Sequence, residues 1–135
     1  MMRGYEILWR LARPLLPLVL GRRARSGKED AGRIAERFGR YDHRTDLPDD
    51  PLWIHAVSVG ETVAGIALAE AIRKTGETAP ILMTTNTVTA AARVAALPAS
   101  LGVTHLYQPL DHPDMVAAFL HRIRPRIGLF LESDF

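Results

Sequence analysis

Glu61, Glu132 and Asp134 are the side chains best placed to do chemistry, because each follows closely on a short apolar run that reads as a buried strand. Open α/β sheets place their ligands at the carboxyl ends of parallel strands, so a carboxylate there stands where a base would work. For Glu61 two readings compete. It sits where a helix begins, and a carboxylate at that position stabilises the helix dipole by about 0.3–1 kcal/mol. By position alone this role accounts for Glu61 without any chemistry; the alternative is a general base. Glu132 and Asp134 follow a different strand and reach the same sheet edge, and acidic groups converging from separate strands point more strongly to a site than one alone. Ser58 and Gly60 free the turn before Glu61 to aim backbone N–H groups outward, an arrangement that suits an anion. The run Thr84-Thr-Asn-Thr-Val-Thr89 adds four hydroxyls and an amide at a second strand end. Thr85, Asn86 or Thr87 is expected to cap the following helix, and the hydroxyls also read as a row of donors facing the crevice of Glu61.

The elements that must position these groups alternate along the chain. Short apolar runs at 52–57, 81–84, 105–107 and 127–131 read as strands, and the intervening patterns at 61–75, 87–97 and 113–122 read as helices. Such βαβ units imply a parallel sheet with right-handed crossovers, about half of a doubly wound domain, with the apolar fourth strand in the sheet interior. In the first helix Val63, Ile66, Ala67, Ala71 and Ile72 are expected to face the sheet, and Gly76 to end it. Asp111 is expected to cap the third helix. No GxGxxG follows the first strand and no GxxxxGK[ST] occurs, so dinucleotide and P-loop fingerprints are missing. The five histidines lack tight ligand spacing, and no metal or cofactor is expected.

Composition bounds the rest. The chain has 135 residues, 47% of them hydrophobic, enough for one modest domain. Its net charge is +2, but residues 1–25 carry six arginines against Glu6, or +5, which leaves −3 for residues 26–135. With no cysteine, disulfides and thiolate metal sites are excluded. Residues 5–20 are apolar but interrupted by Arg10, Arg13, Pro14 and Pro17, too broken for a spanning helix and unlike a cleaved signal peptide. An amphipathic segment lying in the membrane interface fits this pattern; an ordinary first helix with snorkelling arginines is the alternative. Residues 26–40 read as a short polar helix stopped by Gly39, and 41–51 as a linker. The division expected is a membrane-associating helical segment and linker at 1–45 and an α/β domain at 46–135. Leu129–Phe135 stops just after an apolar run, which reads as a chain cut inside a larger protein.

Trp53-Ile-His-Ala-Val-Ser-Val-Gly-Glu61, Met83-Thr-Thr-Asn-Thr-Val-Thr89, Tyr107-Gln-Pro-Leu-Asp111 and Leu131-Glu-Ser-Asp-Phe135, in this order, resemble the N-terminal domain of the 3-deoxy-D-manno-octulosonic acid (Kdo) transferases. Arg37-Phe-Gly39 and the arginine-flanked start look similar too. The resemblance implies a Rossmann-like parallel sheet with flanking helices, the incomplete N-terminal half of a GT-B glycosyltransferase. It also implies inverting transfer of Kdo from CMP-Kdo to a lipid A precursor, without a metal, in lipopolysaccharide assembly at the cytoplasmic face of the inner membrane. By motif, Glu61 matches the general base and Glu132 a second essential acid, while Ser58, Gly60, Thr84, Thr85 and Thr87 would position the acceptor. A helix N-terminus lowers a carboxylate pKa, whereas burial under the acceptor and repulsion from Glu132 would raise it. The partners implied are donor, acceptor and membrane surface through residues 1–25, with no nucleic acid. Ala90 stands where family members often have Gly, and the Trp-Pro-Asn that normally follows Glu-Ser-Asp-Phe is absent. These residues alone are therefore expected to lack the donor side and to be inactive. A stand-alone membrane-surface lipid-binding module is the rival reading. A receiver-type signalling domain is disfavoured, because no acidic pair follows the first strand.

Overall fold

The computed structural model describes residues 31–131. The segment 1–25 and the residues Glu132 and Asp134 lie outside them. Four parallel strands, β1 (Leu52–Ala56), β2 (Ile81–Thr85), β3 (Val103–Tyr107) and β4 (Ile127–Leu131), form one sheet in the order β3-β2-β1-β4. The helices between them are α1 (Val59–Lys74), α2 (Val88–Ala95) and α3 (Pro113–Ile123). The Rossmann-like α/β reading thus holds. After three strands laid in one direction the chain returns to the far side of β1, so the order reverses between β1 and β4. Register pairs Ala56 with Leu131 there, bringing the carboxyl ends of these two strands side by side. That is where doubly wound sheets bind ligands.

β2 is buried at all five positions, as a strand covered on both faces must be. On one face Ile54, Ile81 and Met83 pack with Ala69 of α1 and Val94 of α2. On the other, Leu82 and Leu106 pack with Phe119 and Ile123 of α3 and with Tyr41. Each fully buried Leu, Ile or Phe contributes about 1.5–3 kcal/mol.

Several expectations need correction. In α1 Ile66 and Ile72 pack against the core as expected, but the buried positions are Thr62, Gly65 and Ala69, while Val63 is 49% exposed and Ala67 and Ala71 are exposed as well. The helix lies so close to the sheet that a Cβ on Gly65 would stand 3.2 Å from Leu131 Cδ1 and 3.3 Å from Ile54 Cγ2. At this point of closest approach only a residue without a side chain fits, and the larger Ile66 and Ile72 pack beside it. β4 is not an interior strand among the described residues: it pairs with β1, and Ile127 and Phe130 are 51% and 59% exposed. His112, not Asp111, caps α3, its Nδ1 accepting the Asp114 N–H at 3.1 Å.

Residues 31–45, read from sequence as polar helix and linker, lie against the sheet. Ala31–Phe38 is a 3₁₀ helix whose Glu36 and Arg37 are buried. Its side chains, with Arg44 from the segment that follows, close the outer edge of β3: Glu36 Oε1 accepts the Tyr107 N–H at 3.0 Å, and Arg33 and Arg44 donate to the His105 carbonyl at 3.1 and 3.0 Å. An edge strand left bare exposes unpaired N–H and C=O groups, and here charged side chains occupy them. Gly39 then turns the chain with φ +72°, where an added Cβ would stand 2.8 Å from Ala118 Cβ. No helix among the described residues is long and apolar enough to cross a membrane.

Candidate active site

The turn between β1 and α1 is built as a capping box. Ser58 is extended (φ −93°, ψ 168°), and its Oγ accepts the Glu61 N–H at 3.1 Å. In return Glu61 Oε2 accepts the N–H groups of Val57 at 2.9 Å and Ser58 at 3.2 Å. The Thr62 hydroxyl donates to the Ser58 carbonyl at 2.8 Å. These bonds satisfy N–H groups that a helix start leaves without intrahelical partners. They also fix the Glu61 carboxylate at the carboxyl end of β1, beside the reversal of strand order. Gly60 sits exposed in the first turn of α1, and a Cβ there would meet only Ser58 Oγ, at 4.0 Å.

The threonine run does not present its hydroxyls as one row. Thr84 and Thr85 are fully buried and, as neighbours on a strand, point to opposite faces of the sheet. Thr84 Oγ1 meets Trp53 Nε1 at 2.9 Å and His55 Nδ1 at 2.6 Å, whereas Thr85 Oγ1 meets His105 Nε2 at 2.7 Å. Thr87 caps α2 by accepting the Ala90 N–H at 3.1 Å. Of the three capping candidates in this run, Thr87 has the role.

Arg37 ties the ends of β2 and β3 together. Its Nη1 donates to Asn86 Oδ1 at 2.7 Å and to the Gln108 carbonyl at 3.3 Å, and its Nη2 donates to the Asn86 carbonyl. The Tyr107 ring carries the guanidinium groups of Arg33 and Arg37 at 4.6 and 4.9 Å. Beneath them Glu36 is held below its ordinary pKa: burial raises it, but bonds from Arg33, His43 and the Tyr107 N–H, with the Arg33 charge, outweigh that. His105 is pushed down to about 3, first by burial and then by the neighbouring arginines. Burial also lowers His55, an effect that the negative charge of Glu61 opposes.

Comparison with known proteins decides the family. The family model described as 3-deoxy-D-manno-octulosonic-acid transferase (kdotransferase) matches residues 32–135. The chain belongs to the Kdo transferase family. It is 38% identical to the 3-deoxy-D-manno-octulosonic acid transferase of Bordetella pertussis over 136 residues, covering 96% of this chain and 31% of that protein. With the Rickettsia bellii enzyme it shares 34% identity over 99% of this chain and 32% of the relative. With the Arabidopsis thaliana protein called a probable mitochondrial 3-deoxy-D-manno-octulosonic acid transferase it shares 33% over 98% and 29%. The chain thus spans about a third of the length of these relatives. No solved structure matches it.

Within this Kdo transferase segment the described residues bring Ser58, Gly60 and Glu61 together in one turn, with Thr87 capping a second helix at another strand end of the same sheet. Thr84 and Thr85 lie behind the turns, inside the sheet. Sequence reasoning missed the parts played by Glu36 and Arg37, because charged residues in a polar stretch signal solvent, and nothing local shows that two strand edges need them. It also passed over His55. Strand alternation offered a signal there, since Trp53 and His55 share one face of β1.

Proposed function

We propose that this chain forms the acceptor side of an inverting glycosyltransferase that moves Kdo from CMP-Kdo to a lipid A precursor. The observation that carries this reading is the Glu61 carboxylate, oriented by two backbone N–H groups at the reversal of strand order in a member of the Kdo transferase family. Glu61 removes the proton of the acceptor hydroxyl as that oxygen attacks the anomeric carbon, from the face opposite the departing CMP. One base on the acceptor side suffices for inversion. Glu132, one residue beyond the Leu131 that pairs with Ala56, stabilises the charge developing in the transition state. Ser58, Gly60 and Thr87 position the acceptor, with Thr84 and Thr85 holding the sheet behind them. Residues 1–25 hold the protein at the cytoplasmic face of the inner membrane.

Glu61→Gln separates base from cap, because Gln also serves at the third position of a capping box. In the protein expressed from the complete reading frame, the variant is expected to keep its melting temperature within about 2 °C, a cap change worth under about 0.5 kcal/mol. It should lose 10²–10⁴-fold in Kdo transfer to a tetraacylated lipid A precursor, roughly what general-base catalysis supplies. Near-normal transfer by Glu61→Gln would refute the base. Absence of transfer by the wild type, with vesicle binding retained, would favour the stand-alone lipid-binding module.

A further inference from the structure

On the α3 side of the sheet a cleft of about 320 Å³ opens beside the carboxyl ends of β1 and β4. Trp53, Phe119 and Phe130 line it together with His55, Gln108 and Asp111. The aromatic wall is continuous: Trp53 lies 4.9 Å from Phe119 and 5.0 Å from Phe130, and His55 lies 5.8 Å from Phe130, between ring centroids. Among the described residues, which end at Leu131, Phe130 is 59% exposed and presents one ring face to the cleft.

The polar groups of the cleft have a definable hydrogen-bonding sense. Trp53 Nε1–H only donates, and Thr84 Oγ1 accepts it at 2.9 Å. Thr84 is fully buried, so its own proton needs an acceptor, and His55 Nδ1 stands 2.6 Å away. Donation from Thr84 to Nδ1 satisfies all three groups and leaves the proton of the neutral imidazole on Nε2. His55 is thereby a donor, oriented by Thr84 and Trp53 behind it. Gln108 Oε1 is buried without a hydrogen-bond partner, an unfavourable state that rotation of the side chain toward a ligand donor would relieve. The cleft therefore combines apolar aromatic walls with one oriented donor, one unsatisfied amide and the Asp111 carboxylate as an acceptor, the complement of a ring with C–H faces and hydroxyls at its rim.

We propose that this cleft is a pyranose subsite, in which the sugar's C–H face lies on Phe130 and its hydroxyls meet His55 Nε2–H and the Gln108 amide. The assignment rests on the sugar-transfer reading above and adds to it the surface that holds a ring. The sugar is that of the acceptor or the Kdo of the donor, and kinetics tell them apart. Thermal melting checks that Phe130→Ala folds, and Phe130→Leu, which keeps an apolar side chain there without the aromatic face, serves in its place if it does not. In the protein from the complete reading frame, Phe130→Ala is expected to raise KM about tenfold for one of the two substrates, with kcat within twofold and Phe130→Tyr restoring KM. A rise for the lipid acceptor assigns the subsite to its sugar, and a rise for CMP-Kdo assigns it to Kdo. An unchanged KM for both overturns the proposal while leaving the transfer reading intact. Saturation-transfer NMR with free Kdo and with N-acetyl-D-glucosamine is independent of catalysis. Transfer to ring protons that Phe130→Ala abolishes supports the subsite even if no Kdo is transferred. Transfer confined to the alkyl chain of dodecyl maltoside, or unchanged in Phe130→Ala, overturns it.

Discussion

His105 is buried beside Thr85 and among Arg33, Arg37 and Arg44, and its folded pKa of about 3 lies far below the ordinary 6.5. Between these values the unfolded chain binds a proton that the folded chain refuses. Stability is therefore expected to fall as the pH drops from about 6.5 toward 3, by up to about 1.4 kcal/mol per unit. His55, also lowered, acts in the same direction. Glu36 joins them at lower pH, since the stability from a carboxylate held below its ordinary 4.5 is complete above that value and lost as the pH falls through the folded one. Melting temperatures of wild type and His105→Gln from pH 7 to 4 check the point. The variant keeps a polar group near Thr85 and cannot titrate, so its curve should be shallower. Parallel curves would refute the role of His105.

Among the elements, the 3₁₀ strap and helix α1 show where the sequence was legible and where it was not. The β/α alternation was read from apolar runs and turn residues, and all four strands and three helices are found within a few residues of their expected bounds. The strap was not, because it is held by Glu36, Arg33, His43, Arg44 and Arg37, residues whose partners lie up to 72 positions away and leave no local period. Glu36→Ala would leave the Tyr107 N–H without its acceptor and Arg33 without its carboxylate, while Arg44 keeps Asp46 at 2.8 Å, and leaving such a buried donor unpaired costs about 1–3 kcal/mol. Chemical denaturation should show this as a lower midpoint. In α1 Ile66 and Ile72 are legible from their spacing, but the centre of the buried face is not: close approach selects small residues, and hydropathy gives Thr62, Gly65 and Ala69 little weight. Gly65→Val would press into Leu131, Ile54 and Met83, the side chains nearest an added Cβ. Overpacking of this kind costs about 1–3 kcal/mol, so the variant should melt lower, and an unchanged melting temperature would mean that the helix can retreat. Of the candidate site, Ser58, Gly60 and Glu61 were legible as one turn. The burial of Thr84 and Thr85 was not, because threonine reads alike in a turn and inside a parallel sheet.

Across these 135 residues, the uneven charge sets how the chain would meet a membrane. Residues 1–25 carry +5 and residues 26–135 carry −3, out of a net +2. An anionic lipid surface repels the second part and attracts the first, and basic residues near such a surface contribute about 1 kcal/mol each. Trp9 and the leucines at 8, 11, 15, 16, 18 and 20 add apolar contact that salt does not screen. Flotation with vesicles containing phosphatidylserine is therefore expected to recover the full chain and to leave the chain lacking residues 1–25 at the bottom of the gradient. Raising the salt from 0.1 to about 1 M shortens the screening length from about 10 to 3 Å, which should weaken recovery of the full chain without abolishing it. Complete release by salt would make the contact purely electrostatic. Equal recovery of both chains would move the contact onto the α/β body and remove the anchoring role from residues 1–25.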